Sequence, residues 1–273
     1  MNNIGTKCGL QDIAAPVLEE MPTGSLRRGL FDAFEAERPS LACIEDSFKR
    51  LTSAKHDRDA LRRFFASWSK TNNSAASVSG LSNRVTLLAK TELDSHNSEK
   101  LYETCSSLHR ITDEDLGALG GTLHSDMFYN MATTVCGDDE WLLKANCLAS
   151  AQEFKDWTDQ RRLRDRDLTS GLLTTLVHEI YTHSEVEFIH PLFKDWLGRI
   201  MGVPVDRVRH VVAWVTVHTG GTESAHFGHA INAIKAFCDA TGRKIDESSA
   251  RELFCDYLRR KADVMRECSA LLV

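Results

Sequence analysis

Apolar residues recur every three or four positions along most of this chain, and that period predicts helices rather than strands. No proline occurs between Pro39 and Pro191, which suits long helices because proline breaks a helix interior. Residues 1–23 are expected to be loose or to form a cap. The pattern predicts helices near 24–36, 40–53, 57–71, 79–92, 97–109, 122–135, 138–157, 168–200, 205–239 and 247–271.

Some of these helices begin at residues that commonly cap an N-terminus. Asp57 and Asp246 each precede a predicted helix, and Thr112 with Asp115 has the spacing of a capping box. The sequence therefore assigns these four side chains to helix starts. Glycines at 117, 120 and 121 then interrupt the pattern before His124.

Two segments carry residues able to bind metal at identical offsets of 0, 4, 8 and 11. On a helix that advances about 100° per residue, each set lies within an arc of about 80°. Such a polar stripe must be solvated, paired or bound to a metal. The two sets are Glu179, His183, Glu187, His190 and His218, Thr222, His226, His229.

Each stripe also has a plain structural interpretation. The first could be an exposed helix face on which histidines happen to align. The second contains Gly220-Gly221, and two glycines inside a helix cost about 1 kcal/mol each relative to alanine. A bulge or a kink would explain them; so would a helix break, with His218 ending one helix and Glu223 starting another.

Further candidate ligands are Glu114 and His124, which glycines separate, and Glu92 on the preceding helix. Glu223 and His226 are three residues apart, which is the spacing that helical bundles use to hold iron or manganese. Imidazoles and carboxylates without a thiolate suit iron, manganese or zinc. Surface or core residues without a ligand role remain the alternative for His124 and Glu92.

Composition narrows the possible functions. The 273 residues are 42% apolar and 26% charged, with a net charge of −6, which argues against nucleic acid as a partner. Apolar runs are too short to cross a membrane, and no signal pattern begins the chain. The eight cysteines form no C-x-x-C pair, so we expect a cytoplasmic protein. The arginines between 161 and 166 alternate with aspartates, which indicates a solvated surface.

Three segments resemble the heme-oxygenase-like di-iron oxidases and oxygenases, also called iron-containing redox enzymes, which are related to TenA and PqqC. They are DEDLGALGGTLHSDMFYNM (113–131), LLTTLVHEIYTHSEVEFIHPLF (172–193) and WVTVHTGGTESAHFGHA (214–230). The resemblance covers about residues 45–240. It implies a helical bundle of about seven core helices, with residues 41–273 forming this domain and residues 1–40 an N-terminal extension of capping helices.

The same resemblance implies two Fe(II) ions per chain, with O₂ as co-substrate. The substrate would be a small amino-acid-like or carboxylic-acid molecule, which undergoes N-oxygenation, desaturation or oxidative C–C cleavage in a biosynthetic pathway. The implied metal ligands are Glu114, His124, Glu179, His183, His218, Glu223, His226 and His229.

Two departures from the family pattern leave alternatives open. Thr222 stands at the acidic position of the last helix, and the first-helix glutamate has no clear counterpart unless Glu92 replaces it. A metal-free TenA- or PqqC-like enzyme, with Cys136 or Cys105 as nucleophile, or a binding protein with a decayed metal site would also fit. A heme protein would need His56 as its proximal ligand.

Partners other than the small-molecule substrate are less defined. An anionic or zwitterionic substrate would need cationic clamps, because guanidinium binds carboxylate bidentately. Apolar residues Leu253, Leu258 and Val264 could support a homodimer or could equally belong to the core. The candidate clamps are Arg84, Arg199, Arg207 and Arg209.

Overall fold

The all-helical class predicted from the sequence is confirmed by the computed structural model, which describes residues 8–117 and 121–272. These residues contain thirteen α-helices and no strand, so the expected number of about seven is too low. The helices are α1 Leu10–Glu19, α2 Ser25–Ala36, α3 Arg38–Leu51, α4 Arg58–Asn72, α5 Ala75–Thr91, α6 Ser95–Asp115, α7 His124–Cys136, α8 Ala149–Asp159, α9 Leu168–Asp195, α10 Val205–Val211, α11 Ala213–Val217, α12 Gly221–Thr241 and α13 Glu247–Ala270.

The main departure from the predicted helices concerns residues 205–239, which form three helices instead of one. Gly220, with φ of +71°, precedes α12 in a conformation that favours glycine. The glycine pair therefore marks a helix break, not a bulge. The segment 138–157 is also divided, because two 3₁₀ turns precede α8. Part of the supposedly loose N-terminus forms α1, while residues 1–7 lie outside the described range.

The predicted helix starts are right at two places and wrong at one. Asp57 accepts a hydrogen bond from the backbone N–H of Asp59, and Asp246 accepts one from Ser249. Thr112 and Asp115, however, lie in the last turn of α6 rather than at the start of a helix. The side chain of Asp115 is thereby free for another role.

Buried aromatic rings around Trp68 form the centre of the core. The Trp68 ring lies 5.2 Å from Phe128, 5.6 Å from Phe193 and 5.3 Å from Trp214, measured between ring centroids. These rings come from α4, α7, α9 and α11, so the cluster fixes the four helices relative to one another. Trp214 also contacts the ring of His218, which joins the aromatic core to the polar residues described below.

Helices α6, α9 and α12 enclose the polar part of the interior. Helix α6 packs along both α5 and α12, and α12 packs along α9. Buried residues occur on every side of α9, as expected of a helix at the centre of a bundle. Among the described helices, none combines the length and apolar character that crossing a membrane requires.

The buried apolar side chains form one continuous core from Leu10 to Leu272. Helix α1 packs against α9, and α2 packs against α13. The expected boundary after residue 40 falls within α3 and stays a prediction. Leu253, Leu258 and Val264 are buried in this core, so they offer no exposed face for a second copy.

Candidate metal centre

One group of possible ligands joins the end of α6, the start of α7 and the residue that follows α11. Its members are Asp115, His124 and His218. His124 Nδ1 lies 2.9 Å from Asp115 Oδ1 and 3.0 Å from His218 Nε2. His218 Nε2 is 3.6 Å from the same Asp115 oxygen. Three polar atoms from three separate elements therefore converge on one point.

The ring of His218 is held in a defined orientation. Its Nδ1 lies 2.6 Å from the backbone carbonyl of Trp214, to which it donates a hydrogen bond. In the neutral imidazole this leaves the lone pair on Nε2, which faces Asp115 and His124. A backbone carbonyl that orients a histidine in this way is a common feature of metal sites.

A second group lies between α9 and α12 and consists of Glu179, Glu223 and His226. His226 Nδ1 is 3.7 Å from Glu179 Oε2 and 3.8 Å from Glu223 Oε2. The other ring nitrogen, Nε2, is 3.2 Å from Glu114 Oε2. Glu179, Glu223 and His226 are buried, whereas the Glu114 side chain is 54% exposed.

Glu223 joins the two groups. Its Oε1 lies 3.8 Å from His218 Nε2, and its Oε2 lies 3.8 Å from His226 Nδ1. One carboxylate thus directs one oxygen towards each group. The seven residues form a single site with three imidazoles and four carboxylates, and a bridging carboxylate at its middle is the arrangement that suits two ions.

Two buried carboxylate oxygens in this site, Glu179 Oε1 and Glu223 Oε2, accept no hydrogen bond from the described residues. A buried carboxylate is costly unless it is paired, hydrogen-bonded or bound to a metal. These oxygens are therefore available to a further ligand, such as a water molecule or a cation. A divalent ion between α9 and α12 would satisfy them.

The pKa values of the site reflect this crowding of acids. Burial is the main cause that raises the pKa of Glu179 to about 7, and Glu223 adds to it. Burial alone would lower the pKa of His226, but Glu179 and Glu223 outweigh it and raise the pKa to about 11. His226 is therefore protonated at neutral pH, and a bound cation would have to displace that proton.

The pKa of Asp115, unlike that of Glu179, is lowered by its surroundings. Burial would raise its pKa, but hydrogen bonds with His124 and His218 hold the pKa below its usual value. The same contacts raise the pKa of His218, against the effect of burial. Asp115 is thus a charged carboxylate that contacts His124 directly and lies close to His218.

The donor atoms fit transition-metal ions. Two atoms that each bond one ion at about 2.1 Å lie about 3 Å apart, close to the separations around His124 Nδ1. Within each group the possible ligand atoms lie within 4.8 Å of one another. With Glu114, four carboxylates balance the charge of two divalent ions, and imidazoles and carboxylates without a thiolate suit iron, manganese or zinc.

The structure brings together six of the eight residues predicted as ligands: Glu114, His124, Glu179, His218, Glu223 and His226. His183 and His229 belong to neither group. His183 is buried with Nδ1 unpartnered, and burial lowers the pKa of both histidines. On α12 it is Glu223, and not Thr222, that lies with Glu179 and His226.

Two further expectations concerned carboxylates. Glu92 does not replace the missing glutamate, because it lies at the end of α5 and accepts a hydrogen bond from the backbone of Asp94. Asp115, which lies with His124 and His218, is a carboxylate of the site that the sequence had not indicated. Sequence reasoning missed Asp115 because its spacing from Thr112 matched a helix cap. The acidic run 113–115 was the available signal.

The structure also places the residues proposed for other functions. Burial raises the pKa of the Cys136 thiol to about 12, and Cys136 lies at the opposite end of α7 from His124, about 18 Å along the helix. Buried Cys105 contacts Thr86 Oγ1 at 3.3 Å. His56 Nε2 lies within hydrogen-bond distance of the carbonyls of Arg50 and Leu51 at the end of α3, a structural role.

The four arginines considered as substrate clamps lie elsewhere. Arg84 donates hydrogen bonds to the backbone carbonyls of Arg162 and Asp165, and Arg199 pairs with Asp195 on the surface. Arg207 and Arg209 are exposed.

The fold is similar to that of a known protein structure. A TenA homologue from Pseudomonas syringae pv. tomato str. DC3000 superposes with a TM-score of 0.65 and 14% sequence identity. The match covers 91% of this chain and 98% of the homologue. No family model matches the chain, and no curated protein matches it in sequence. The chain therefore has a TenA-like helical fold, and at this identity the likeness concerns the fold alone.

Proposed function

We propose that this protein is a non-heme iron enzyme that holds two Fe(II) ions and uses O₂ to oxidise a small amino-acid-like or carboxylic-acid substrate. The observation that carries the proposal is the pair of adjacent ligand groups joined by Glu223, with buried carboxylate oxygens that the described residues leave without partners. N-oxygenation, desaturation and oxidative C–C cleavage are the reaction classes that we consider.

Each ion would have its own set of side chains. Asp115, His124 and His218 would hold one ion, Glu179 and His226 the other, and Glu223 would contact both. Glu114 would orient the ring of His226 by accepting a hydrogen bond from Nε2, because the other ring nitrogen, Nδ1, is the one that lies near Glu179 and Glu223. Two bound ferrous ions would supply electrons to O₂ as the substrate is oxidised.

The protein's own residues would prepare this chemistry. The carboxylates keep the loaded centre near neutral, and the Trp214 carbonyl fixes the ring of His218. Burial of Glu179, Glu223 and His226 excludes water from the inner side of the centre, which strengthens every interaction with charge there.

A metal-free enzyme with a cysteine nucleophile is supported less well. The raised pKa of Cys136 keeps its thiol protonated at neutral pH, and a thiol is a much weaker nucleophile than a thiolate. Two buried carboxylate oxygens, Glu179 Oε1 and Glu223 Oε2, also accept no hydrogen bond from the described residues, and a bound metal ion would use both of them.

Anaerobic titration of the chelator-treated protein with Fe(II), followed by addition of O₂, tests the proposal. We expect uptake of about two ions per chain and O₂ consumption with a transient change in the visible spectrum. The Glu179→Ala/His226→Ala double variant is the control, and it should take up at most one ion. Uptake that is absent, or that is the same in the double variant, would overturn the proposal.

A further inference from the structure

Arg162 is buried at the centre of the molecule, although the local charge pattern had predicted a solvated surface. Its residue exposure is 1%, and it lies in the π-helical turn Gln160–Arg164 that follows α8. Buried arginines are almost always paired with an acid, because removing a charge from water is costly. The partners of this guanidinium are therefore informative.

Those partners are all neutral. Nε donates to Thr175 Oγ1 at 3.2 Å, Nη1 to Ser77 Oγ at 3.2 Å and Nη2 to the Thr174 carbonyl at 3.4 Å. No carboxylate of residues 8–117 or 121–272 forms an ion pair with Arg162. A guanidinium has five N–H donors, so one N–H remains on each terminal nitrogen. A guanidinium that keeps one N–H on each terminal nitrogen has the donors that a carboxylate can accept.

Close contacts at two glycines, and a hydrogen bond from Arg84, hold the turn that carries Arg162 against the core. A Cβ atom at Gly171 would lie 2.9 Å from Leu81 Cδ1, 3.0 Å from the Arg161 carbonyl oxygen and 3.2 Å from Arg162 Cα, so glycine favours the close approach of α9 to this turn. Gly80 on α5 makes room for Leu163 in the same way. Arg84 Nη1 donates a hydrogen bond to the Arg162 carbonyl oxygen at 2.7 Å. Three features thus fix one turn against the core.

Arg162 lies beside the candidate metal centre. Its partner Thr175 is one helical turn before Glu179 on α9, so the two side chains share a face and are about 6 Å apart along the axis. The Glu179 carboxylate acts on Arg162 through space without contacting it. A molecule bound to the guanidinium would therefore extend towards the metal ligands.

The charges of the interior point to an anion at this position. Two divalent ions would balance the four carboxylates of the centre, and Lys261 pairs with Glu185. Asp159 pairs with Lys155 through Oδ2, while its Oδ1 accepts no hydrogen bond from the described residues. Of the two buried cationic side chains in the part of the chain that the structure describes, Lys261 has an ion-pair partner and Arg162 has none. We propose that Arg162 binds the carboxylate of the substrate, which makes the substrate an organic carboxylate. This assignment rests on the proposed function for its site, but its binding test does not require activity.

Isothermal titration of the metal-free and the Zn(II)-loaded protein with acetate, butyrate, hexanoate and octanoate tests this assignment. Zinc is redox-inert, so binding is measured without turnover. We expect at least one of these acids to bind, and the alcohol of equal length to bind at least ten-fold more weakly. Arg162→Gln should weaken acid binding at least ten-fold while metal uptake is unchanged.

Arg161→Gln is the matched control, because it makes the same change one residue away on the same turn. Its acid binding should equal that of the wild type. If Arg162→Gln does not fold, Arg162→Lys retains the charge without the bidentate fork and should bind several-fold more weakly. Equal affinity for acid and alcohol, no binding of any acid, or unchanged affinity in the Arg162 variants would overturn the assignment.

The two proposals fail in different ways. Acid binding that depends on Arg162 in a protein that takes up no metal would refute the iron enzyme and retain the carboxylate site. Uptake of two ions with no acid binding would retain the two-ion centre and refute the carboxylate site.

Discussion

Helix α9 carries two buried acidic positions, Glu179 and Glu185, whose surroundings differ completely. The oxygens of Glu185 are fully used: Trp68 Nε1 donates at 2.9 Å, Asn72 Nδ2 at 3.1 Å, and Tyr181 and Lys261 complete the set. Glu179 lies six residues earlier and has an oxygen with no partner among the described residues. The comparison separates an acid that serves the structure from one that serves a ligand.

Lys261 is equally well satisfied within the first of these networks. Its Nζ lies 3.0 Å from Glu185 Oε2, 2.7 Å from Thr71 Oγ1 and 3.3 Å from Asn72 Oδ1. An ammonium has three donors, and all three are used. A closed network of this kind fixes α4, α9 and α13 to one another and has no capacity for a further ligand. Burial of a charge alone is therefore no sign of a binding site.

The strongest test of the comparison removes the carboxylate shared by the two ligand groups. Glu223→Ala should reduce Fe(II) uptake from about two ions per chain to one or fewer, because both groups lose a ligand. The metal content of purified, reloaded protein measures this. Glu185→Gln is the matched control and should retain both ions. Equal metal content in wild type and Glu223→Ala would show that Glu223 is no ligand.

Substitutions in the Glu185 network should change the free energy of unfolding rather than metal uptake. Lys261→Met leaves a buried carboxylate unpaired and should lower the free energy of unfolding by about 3–5 kcal/mol. Urea denaturation of metal-free protein measures the change. The double variant Lys261→Met/Glu185→Leu should recover much of that loss, since it removes both charges. A single variant as stable as the wild type would contradict the structural role.

Metal-free protein should also lose stability as the pH rises from about 4.5 to 7. The raised pKa of Glu179 means that the folded state binds more protons than the unfolded state in this range. The contribution is full below pH 4.5 and is lost as the pH passes about 7. Glu179→Gln removes it, so the variant should gain about 2–3 kcal/mol relative to wild type across the range. Parallel urea curves at several pH values would show this gain, and a constant difference would refute it.

The smallest effects are expected at the two histidines that lie outside both ligand groups. His183→Ala and His229→Ala should each retain about two ions per chain, because neither ring belongs to a group of converging donors. Metal analysis beside His124→Ala, which should lose at least one ion, gives the comparison. If His183→Ala lost an ion, the metal centre would have to include His183, whose Nδ1 has no partner among the described residues.

The spacing of polar residues predicted much of the metal centre. It did not predict which residues of α12 lie among the other ligands. The second stripe assumed one helix through 218–229, which would place Thr222 and His229 beside His226. The break before α12 separates His218 from that helix, so the alignment of His218 with Thr222 does not hold. Glu223 lies with His226 in the second group, and His229 belongs to neither group. Gly220-Gly221 was the visible signal, and a break was one of the interpretations it allowed.

Asp115 and Arg162 show why local patterns failed elsewhere. Asp115 has cap spacing from Thr112, yet α6 continues through both residues and brings Asp115 to His124 and to His218, which is far away in sequence. Arg162 lies in an alternating run of charges, yet a π-helical turn and the close approach at Gly171 bury it. Both depend on contacts between helices, which sequence spacing does not encode.

The sequence by itself determined the helical class, most helix positions and the supply of imidazole and carboxylate donors. Those properties follow from local periodicity and residue chemistry, which act within one helix. The tertiary structure alone decided which donors converge, which buried charges are satisfied and which guanidinium lacks an acid. Convergence and satisfaction depend on how α6, α9 and α12 are rotated and packed against one another, and that packing is set by contacts far apart in the chain.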